Sequence, residues 1–136
     1  MGYEIVSFTL SAEASMNVLS SSGRPSFMDD LADDPKKRQR AVLIARAAEK
    51  VARNGIGWAR SSKTLKPITA RLSVFELRVP GKTIRVMTYL HDGVEPIYLF
   101  DFDGHQGKDG KIPPSIIEKA HVLAEAARTC MIGESS

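Results

Sequence analysis

Residues 72–90 read LSVFELRVPGKTIRVMTYL, and residues 94–128 continue as VEPIYLFDFDGHQGKDGKIPPSIIEKAHVLAEAAR. Apolar and polar residues alternate in 73–79 and in 83–90, which is the period of a half-buried strand. Residues 97–102 are apolar on both faces, as expected for a central strand. The Pro-Pro pair that follows the polar loop can begin a helix, because proline is tolerated at the first helical position. The pattern therefore predicts three closely spaced strands, a polar loop and a C-terminal helix.

The first two of these strands should form a hairpin, because Pro80 and Gly81 mark a turn between them. Pro80 disfavours the two-residue turns that join most tight hairpins, so a longer loop is favoured. The parity that keeps the apolar residues together places Arg85 on the same face as Glu76 and Arg78. Which of the two lies opposite Arg85 depends on the length of the loop. This face is predicted to be a basic surface suited to phosphate groups.

The N-terminal half is less regular. We predict a strand at 3–10, a loop in the SSSGRP segment at 20–25, and a short helical turn at 27–31. A longer helix should run from about 36 to 53, started by the Asp-Asp-Pro triplet before it and ended by Asn-Gly. Residues 56–69 are predicted to be an irregular basic connection with a short strand near Leu65.

The longer helix is amphipathic. Its apolar face should carry Ala41, Ile44, Ala48 and Val51. Arg46, Lys50 and Arg53 lie on a different face, and we predict that this basic face is exposed and binds RNA.

These elements indicate an α+β fold in a single domain of residues 1–136. We expect a small antiparallel sheet of about four strands, packed with N-terminal helices and one C-terminal helix. No apolar run approaches the ~18 residues of a membrane span, and the N-terminus lacks a secretory pattern, so a cytoplasmic location is expected. Cys130 is the only cysteine, which excludes an internal disulfide framework. No metal-ligand spacing is present, so we expect neither a metal nor another cofactor.

Charge is distributed unevenly along the chain. The net formal charge is +3, but residues 36–85 contain fourteen Lys and Arg against two acids, a net charge of +12. Residues 1–35 have a net charge of −5 and residues 86–136 one of −4. A segment this basic favours a polyanionic partner, either a nucleic acid or an acidic protein. The structural alternative is a solvated basic face without a ligand.

Four residues could act on a phosphate, one in the second predicted strand and three in the polar loop after the third. The guanidinium of Arg85 could clamp it in a bidentate manner, although an ion pair across the strands is the structural alternative. His105 could transfer protons, and Lys108 and Lys111 in the same loop could hold phosphates. For these three residues the alternative is an exposed, solubilising loop.

The order of these motifs resembles the RelE/ParE superfamily of toxins, and most closely its HigB-like, phage-derived branch. The similarity rests on L-x-V-F-E-L-R-V, I-R-V-x-x-Y, I-Y-L-F-D-F, a lysine-bearing loop that ends K-I-P-P, and a helix with A-x-x-L-A. It covers about residues 65–128, just under half of the chain. The resemblance implies a type II toxin that cleaves messenger RNA at the ribosome without a metal and is inactivated by a cognate antitoxin protein.

The resemblance also implies roles for individual residues. Arg85 matches the arginine that contacts the scissile phosphate, and Arg78 matches the arginine of the E-L-R strand, here assigned to RNA binding. Lys108 and Lys111 fall where the branch has loop lysines. With His105 as the group that transfers protons, Glu76 would orient Arg85 or act as a base.

The chain departs from the family pattern in two places. Residues 103–106, Asp-Gly-His-Gln, replace the usual double lysine, and Val74 and Glu76 stand where some members have lysines on the first hairpin strand. Two alternatives to an RNA-cleaving toxin therefore stay open. One is a non-enzymatic basic protein that binds nucleic acid or protein through the same fold, and the other is a gyrase-directed toxin of the same superfamily.

Overall fold

The computed structural model describes residues 2–69, 71–104 and 112–135. Six strands and four helices follow one another in the order β1 (Tyr3–Thr9), β2 (Ser15–Ser21), α1 (Phe27–Asp33), α2 (Arg38–Asn54), α3 (Ile56–Ser61), β3 (Leu65–Thr69), β4 (Val74–Arg78), β5 (Ile84–His91), β6 (Glu95–Asp103) and α4 (Pro114–Ser135). A short 3₁₀ turn, Arg71–Ser73, joins β3 to β4. The predicted α+β class is confirmed.

The sheet is larger than predicted and has the strand order β1-β2-β6-β5-β4-β3. All neighbouring strands are antiparallel except β2 and β6, which are parallel. The expected antiparallel sheet of about four strands is therefore wrong in two respects: the sheet has six strands, and it is mixed. The difference arises at the N-terminus, where β1 and β2 form a hairpin that joins the sheet beside β6.

β2 was missed because its sequence, SMNVLSS, ends in the serines that predicted a loop. The strand is nevertheless buried over most of its length. Ser20 satisfies its hydroxyl by donating to the carbonyl of Arg24 at 2.8 Å. A serine bonded in this way can lie in a buried strand without an unsatisfied polar group.

Two hydrophobic cores flank the sheet. The first core lies between the sheet and helices α1, α2 and α3, and includes the apolar side chains of Phe75, Leu77, Val86 and Ile44. The second core lies between the sheet and α4, and includes Val74, Met87, Tyr89, Ile97 and Ala124. Both faces of the sheet are covered. β6 lies between β2 and β5 and contributes to both cores, as predicted for a central strand.

The helices follow the predicted periodicity closely. Ala41, Ile44, Ala48 and Val51 of α2 are buried, and Ala120 and Ala127 of α4 are buried as well. The prediction that the Asp-Asp-Pro triplet starts α2 was wrong, however, because Asp34 does not cap this helix. Its side chain accepts from the backbone N–H of Lys36 at 2.9 Å, in the turn between α1 and α2.

Of the two shorter helices, α1 confirms the helical turn predicted at 27–31, whereas α3 corrects a prediction. α1 begins with a capping box in which Ser26 and Asp29 bond each other's backbone N–H groups. Residues 56–61, predicted to be irregular, form α3, and Ala59 anchors this helix in the first core. α3 is only six residues long, which is too short for helical periodicity to be recognised.

Candidate functional site: a basic groove at the β4–β5 hairpin

The β4–β5 hairpin has the longer loop that Pro80 favours. Arg78 pairs with Arg85 across the two strands, and the backbone N–H of Val79 donates to the carbonyl of Ile84 at 3.2 Å. Residues 80–83 therefore form a four-residue loop. This register places two arginines directly opposite each other, and like charges in that position destabilise a strand pair.

The predicted basic face of the hairpin is restricted to its loop end. Val74, Met87 and Tyr89 share the face of Arg78 and Arg85, but they are buried in the second core. The prediction that this whole strand face is a polar surface was wrong. The reason is α4, which covers the middle of the sheet and leaves only the loop end accessible.

A groove of about 600 Å³ lies at this end of the hairpin. It is lined by residues 62–64, which connect α3 to β3, and by residues 78–83 and 85 of the hairpin. We call it the hairpin groove. Among the described residues, its lining contains four cationic side chains, those of Lys63, Arg78, Lys82 and Arg85, and no carboxylate.

Backbone carbonyl groups at the β4–β5 hairpin loop hold the side chain of Arg85 in place. Its Nη1 donates to the carbonyls of Lys82 and Ile84, at 2.9 Å in both cases. These bonds hold the guanidinium against the loop, so its planar group is already oriented before a ligand binds. Within the described part of the chain, no carboxylate forms an ion pair with Arg85.

Gly104 passes close to the same side chain. Its backbone N–H donates to the carbonyl of Thr83 at 2.6 Å. A Cβ at this position would lie 3.0 Å from that carbonyl oxygen and 3.2 Å from Cγ of Arg85. Glycine therefore suits this position, because a larger residue would require the Thr83 carbonyl or the Arg85 side chain to shift where β6 ends.

Glu76 does not contact Arg85 as predicted. Its carboxylate lies 3.9 Å from Nε of Arg78, and the residue is buried at 7% relative exposure. Across the β4–β5 ladder it is opposite Met87. Among the described residues, Glu76 therefore lies beside Arg78 rather than beside Arg85.

The other predicted residues fall into two groups. Arg46, Lys50 and Arg53 are exposed on the outer side of α2, as expected, and Arg53 forms an ion pair with Glu49 at 3.4 Å. α2 packs on the first core, whereas Arg78 and Arg85 point to the face of the second core. The predicted RNA-binding residues are thus divided between two sides of the sheet. His105, Lys108 and Lys111 lie outside the described residues.

Sequence reasoning missed one cluster that supports the groove. Arg40 of α2 bonds Asp101 through Nε at 2.6 Å and Asp103 through Nη1 at 3.0 Å. Burial alone would lower the pKa of Arg40, but the hydrogen bonds to the two carboxylates raise it above its ordinary value. We call this cluster the Arg40 clamp. It ties α2 to the end of β6, one residue before Gly104.

Lys63 and Lys82 were also not singled out from the sequence. Lys82 could have been found, because it lies inside the four-residue loop that Pro80 favours. Lys63 could not, because it reaches the groove through a left-handed backbone conformation, with φ of 63°, in the α3–β3 connection.

The described residues contain no cluster of three His, Cys, Asp or Glu side chains that could hold a metal ion. None of the helices in residues 2–69, 71–104 and 112–135 combines the length and the apolar character needed to cross a membrane. Comparisons with models of protein families, with curated proteins and with solved structures found no match.

Proposed function

We propose that this protein is a toxin-type endoribonuclease that holds the backbone of messenger RNA in the hairpin groove. The observation that carries the proposal is the direct pairing of Arg78 with Arg85, in a groove whose described lining residues also include Lys63 and Lys82 and no carboxylate. Like charges opposite each other destabilise a strand pair, and of the two arginines Arg78 alone has a carboxylate beside it within the described residues, that of Glu76 at 3.9 Å from Nε. A phosphodiester bound between them would relieve that repulsion and supply the oxygens that guanidinium groups bind best.

The proposed chemistry needs no group beyond those of the chain and the RNA. The ribose 2′-oxygen attacks the adjacent phosphorus and forms an O–P bond, while the bond from phosphorus to the 5′-oxygen breaks. A base takes the proton of the 2′-hydroxyl, and an acid protonates the leaving 5′-oxygen. The products are a 2′,3′-cyclic phosphate and a 5′-hydroxyl. Arg85 would stabilise the additional negative charge of the transition state.

The proton-transfer groups are assigned from the sequence. His105 follows Gly104 directly, and Gly104 lies beside Arg85. This order along the chain supports His105 as the acid or base, with Lys108 and Lys111 as phosphate contacts. Glu76 is assigned to the orientation of Arg78, because its carboxylate lies beside that side chain.

A second candidate is an RNA-binding protein that does not cleave. It is favoured by the described part of the groove lining, residues 62–64, 78–83 and 85, in which Lys, Arg, Ser and Thr side chains are present and no His, Asp, Glu or Tyr occurs. Both candidates place RNA in the same groove, and they differ only in the products found after incubation. An inhibitory protein partner, as the toxin resemblance implies, is compatible with either.

Induced expression of the chain without a partner is expected to arrest growth and to shorten messenger RNA. The physical basis is the cationic groove together with His105, which follows Gly104 in the sequence. The measurement is culture density and transcript length after induction, with soluble protein confirmed. Growth arrest with intact transcripts would favour the non-cleaving candidate. Normal growth at confirmed expression would contradict the toxin proposal.

Substitution of Lys63 and Lys82 by glutamine is expected to weaken RNA binding and its dependence on salt. Each phosphate contact releases counter-ions and contributes about −0.7 to the slope of log affinity against log salt for single strands. Loss of two contacts should change the slope by about 1.4. The measurement is a titration with single-stranded RNA across a salt series.

The matched control removes two charges from the outer side of α2 by Arg46→Gln and Lys50→Gln. Both side chains are exposed, so these substitutions should barely affect stability. If the hairpin groove binds the RNA, the groove variant changes the slope more than this control. A larger change of the slope in the control would indicate that the RNA binds the α2 face, as the sequence alone predicts.

A further inference from the structure

Within the described residues, no strand pairs with the outer edge of β1, and the hydrogen-bonding direction of β1 can be read from both ends of the β1–β2 hairpin. The carbonyl of Gly2 accepts from the N–H of Ser22 at 2.9 Å, and the N–H of Leu10 donates to the carbonyl of Ala14 at 2.9 Å. Residues along an antiparallel strand alternate between facing the partner strand and facing away. The even-numbered residues of β1 therefore bond β2, and the odd-numbered residues direct their N–H and C=O groups outwards.

The outward groups are largely unpaired. The carbonyl of Tyr3 accepts from the thiol of Cys130 near the end of α4, at 3.3 Å. In the described chain, the outward N–H and C=O groups of Ile5, Ser7 and Thr9 have no hydrogen-bond partner. A row of such groups on an edge strand is a template for another strand.

The two edges of the sheet differ in how they are protected. β3, at the other edge, contains Lys66 and Pro67 and has an irregular register between Pro67 and Thr69. Lysine, proline and bulges are the devices that prevent an edge strand from pairing. β1 pairs with β2 in unbroken register over seven residues and carries neither proline nor lysine. These protective devices are present at the β3 edge and absent at the β1 edge. This difference indicates that β1 is an interface.

We propose that β1 pairs antiparallel with β1 of a second copy of this chain, so that two sheets join into one. The register that fits the edge places Ser7 opposite Ser7 of the second copy, and Ile5 opposite Thr9. Each of these pairs exchanges two hydrogen bonds, about six in total. In this register the added strand ends beside Tyr3, whose carbonyl keeps its bond to Cys130.

The side chains of β1 are complementary to themselves in this register. Val6 and Phe8 are partly buried against the first core, and Val6 would lie beside Phe8 of the second copy. The first core would therefore continue across the joint on the α2 side of both copies. Glu4 is the only charged residue of β1, and it would lie opposite Leu10 rather than opposite itself. This self-complementarity identifies the occupant as a second copy rather than an unrelated strand.

The proposal is independent of the RNA-cleaving function. In the sheet, β1 is separated from β4 and β5 of the hairpin groove by β2 and β6. A joint made by one edge strand lies at the small end of specific interfaces, so we expect a Kd on the order of micromolar. Disruption of the joint should leave RNA binding unchanged.

The test measures the oligomeric state of the full chain by sedimentation velocity over a concentration series. Ser7 is exposed and its N–H points away from β2, so Ser7→Pro removes hydrogen bonds of the joint without breaking the β1–β2 ladder. Ser7→Ala retains the N–H and is the matched control. We expect dimers of the wild-type chain and of Ser7→Ala, and a Kd at least about tenfold weaker for Ser7→Pro.

Charge pairing tests the register itself. Ser7→Lys and Ser7→Asp should each be monomeric, because the symmetric joint places two like charges opposite each other. An equimolar mixture of the two variants should dimerise again. A monomeric wild-type chain, a dimer unaffected by Ser7→Pro, or a mixture that stays monomeric would overturn the proposal. The proposal would also be overturned if the wild-type chain stayed monomeric but bound an added strand of unrelated sequence, because the occupant of β1 would then not be a second copy.

Discussion

Replacement of Arg85 by alanine is expected to slow RNA cleavage by two to three orders of magnitude while the fold stays intact. Loss of a group that stabilises charge in the transition state costs about 2.7–4 kcal/mol. Arg85 meets the geometric requirement, because two backbone carbonyls fix its guanidinium at the edge of the hairpin groove. The measurement is the single-turnover cleavage rate of a labelled RNA, with circular dichroism to confirm folding.

Two further variants separate this role from a structural one. Arg85→Lys keeps the charge but loses the planar fork, so it should restore only part of the rate. Arg53→Ala removes an equal charge from an exposed position on α2 and should leave the rate unchanged. Wild-type cleavage by a folded Arg85→Ala protein would show that Arg85 only stabilises the hairpin loop.

Replacement of Arg40 by alanine is expected to destabilise the protein by about 1–3 kcal/mol. The Arg40 clamp holds two carboxylates, and the side chains of Arg40 and Asp101 are mostly buried, at 21% and 19% exposure. Removal of the arginine leaves a partly buried carboxylate without its cation, which costs more than the loss of a surface ion pair. The measurement is the free energy of unfolding from urea denaturation.

Arg53→Ala is the matched control for this prediction as well. Arg53 also forms an ion pair from α2, but it is exposed and bonds Glu49 within the same helix. Its removal should cost less than about 0.5 kcal/mol. Equal effects of the two substitutions would show that the Arg40 clamp contributes no more than a surface pair. Because the clamp ends one residue before Gly104, Arg40→Ala should also weaken RNA binding at the hairpin groove.

The sequence was sufficient where one local pattern controls the structure. The alternation in β4 and β5 correctly grouped the apolar residues of the first core, such as Leu77 and Val86, and Pro80 indicated the loop length that places Arg78 opposite Arg85. The apolar face of α2 was equally legible, because this helix is long enough to show its period.

The sequence was insufficient where the outcome depends on distant parts of the chain. The parallel pairing of β2 with β6 joins residues about eighty positions apart and leaves no local signal. Helix α4 covers the sheet face that was predicted to be polar, so most of this face is a hydrophobic core. Arg78 and Arg85, at the loop end of the hairpin, stay accessible on it. The Arg40 clamp is a contact between α2 and β6, and no spacing along the chain reveals it.

We propose that the hairpin groove, rather than the outer side of α2, holds the RNA backbone. Titration of isotope-labelled protein with a short single-stranded RNA, monitored by two-dimensional NMR of backbone amides and arginine Nε groups, distinguishes the two surfaces. We predict the largest shifts for the amides of residues 62–64 and 78–85 and for the Nε groups of Arg78 and Arg85. Shifts confined to Arg46, Lys50 and Arg53, or no shifts at low salt, would contradict this proposal.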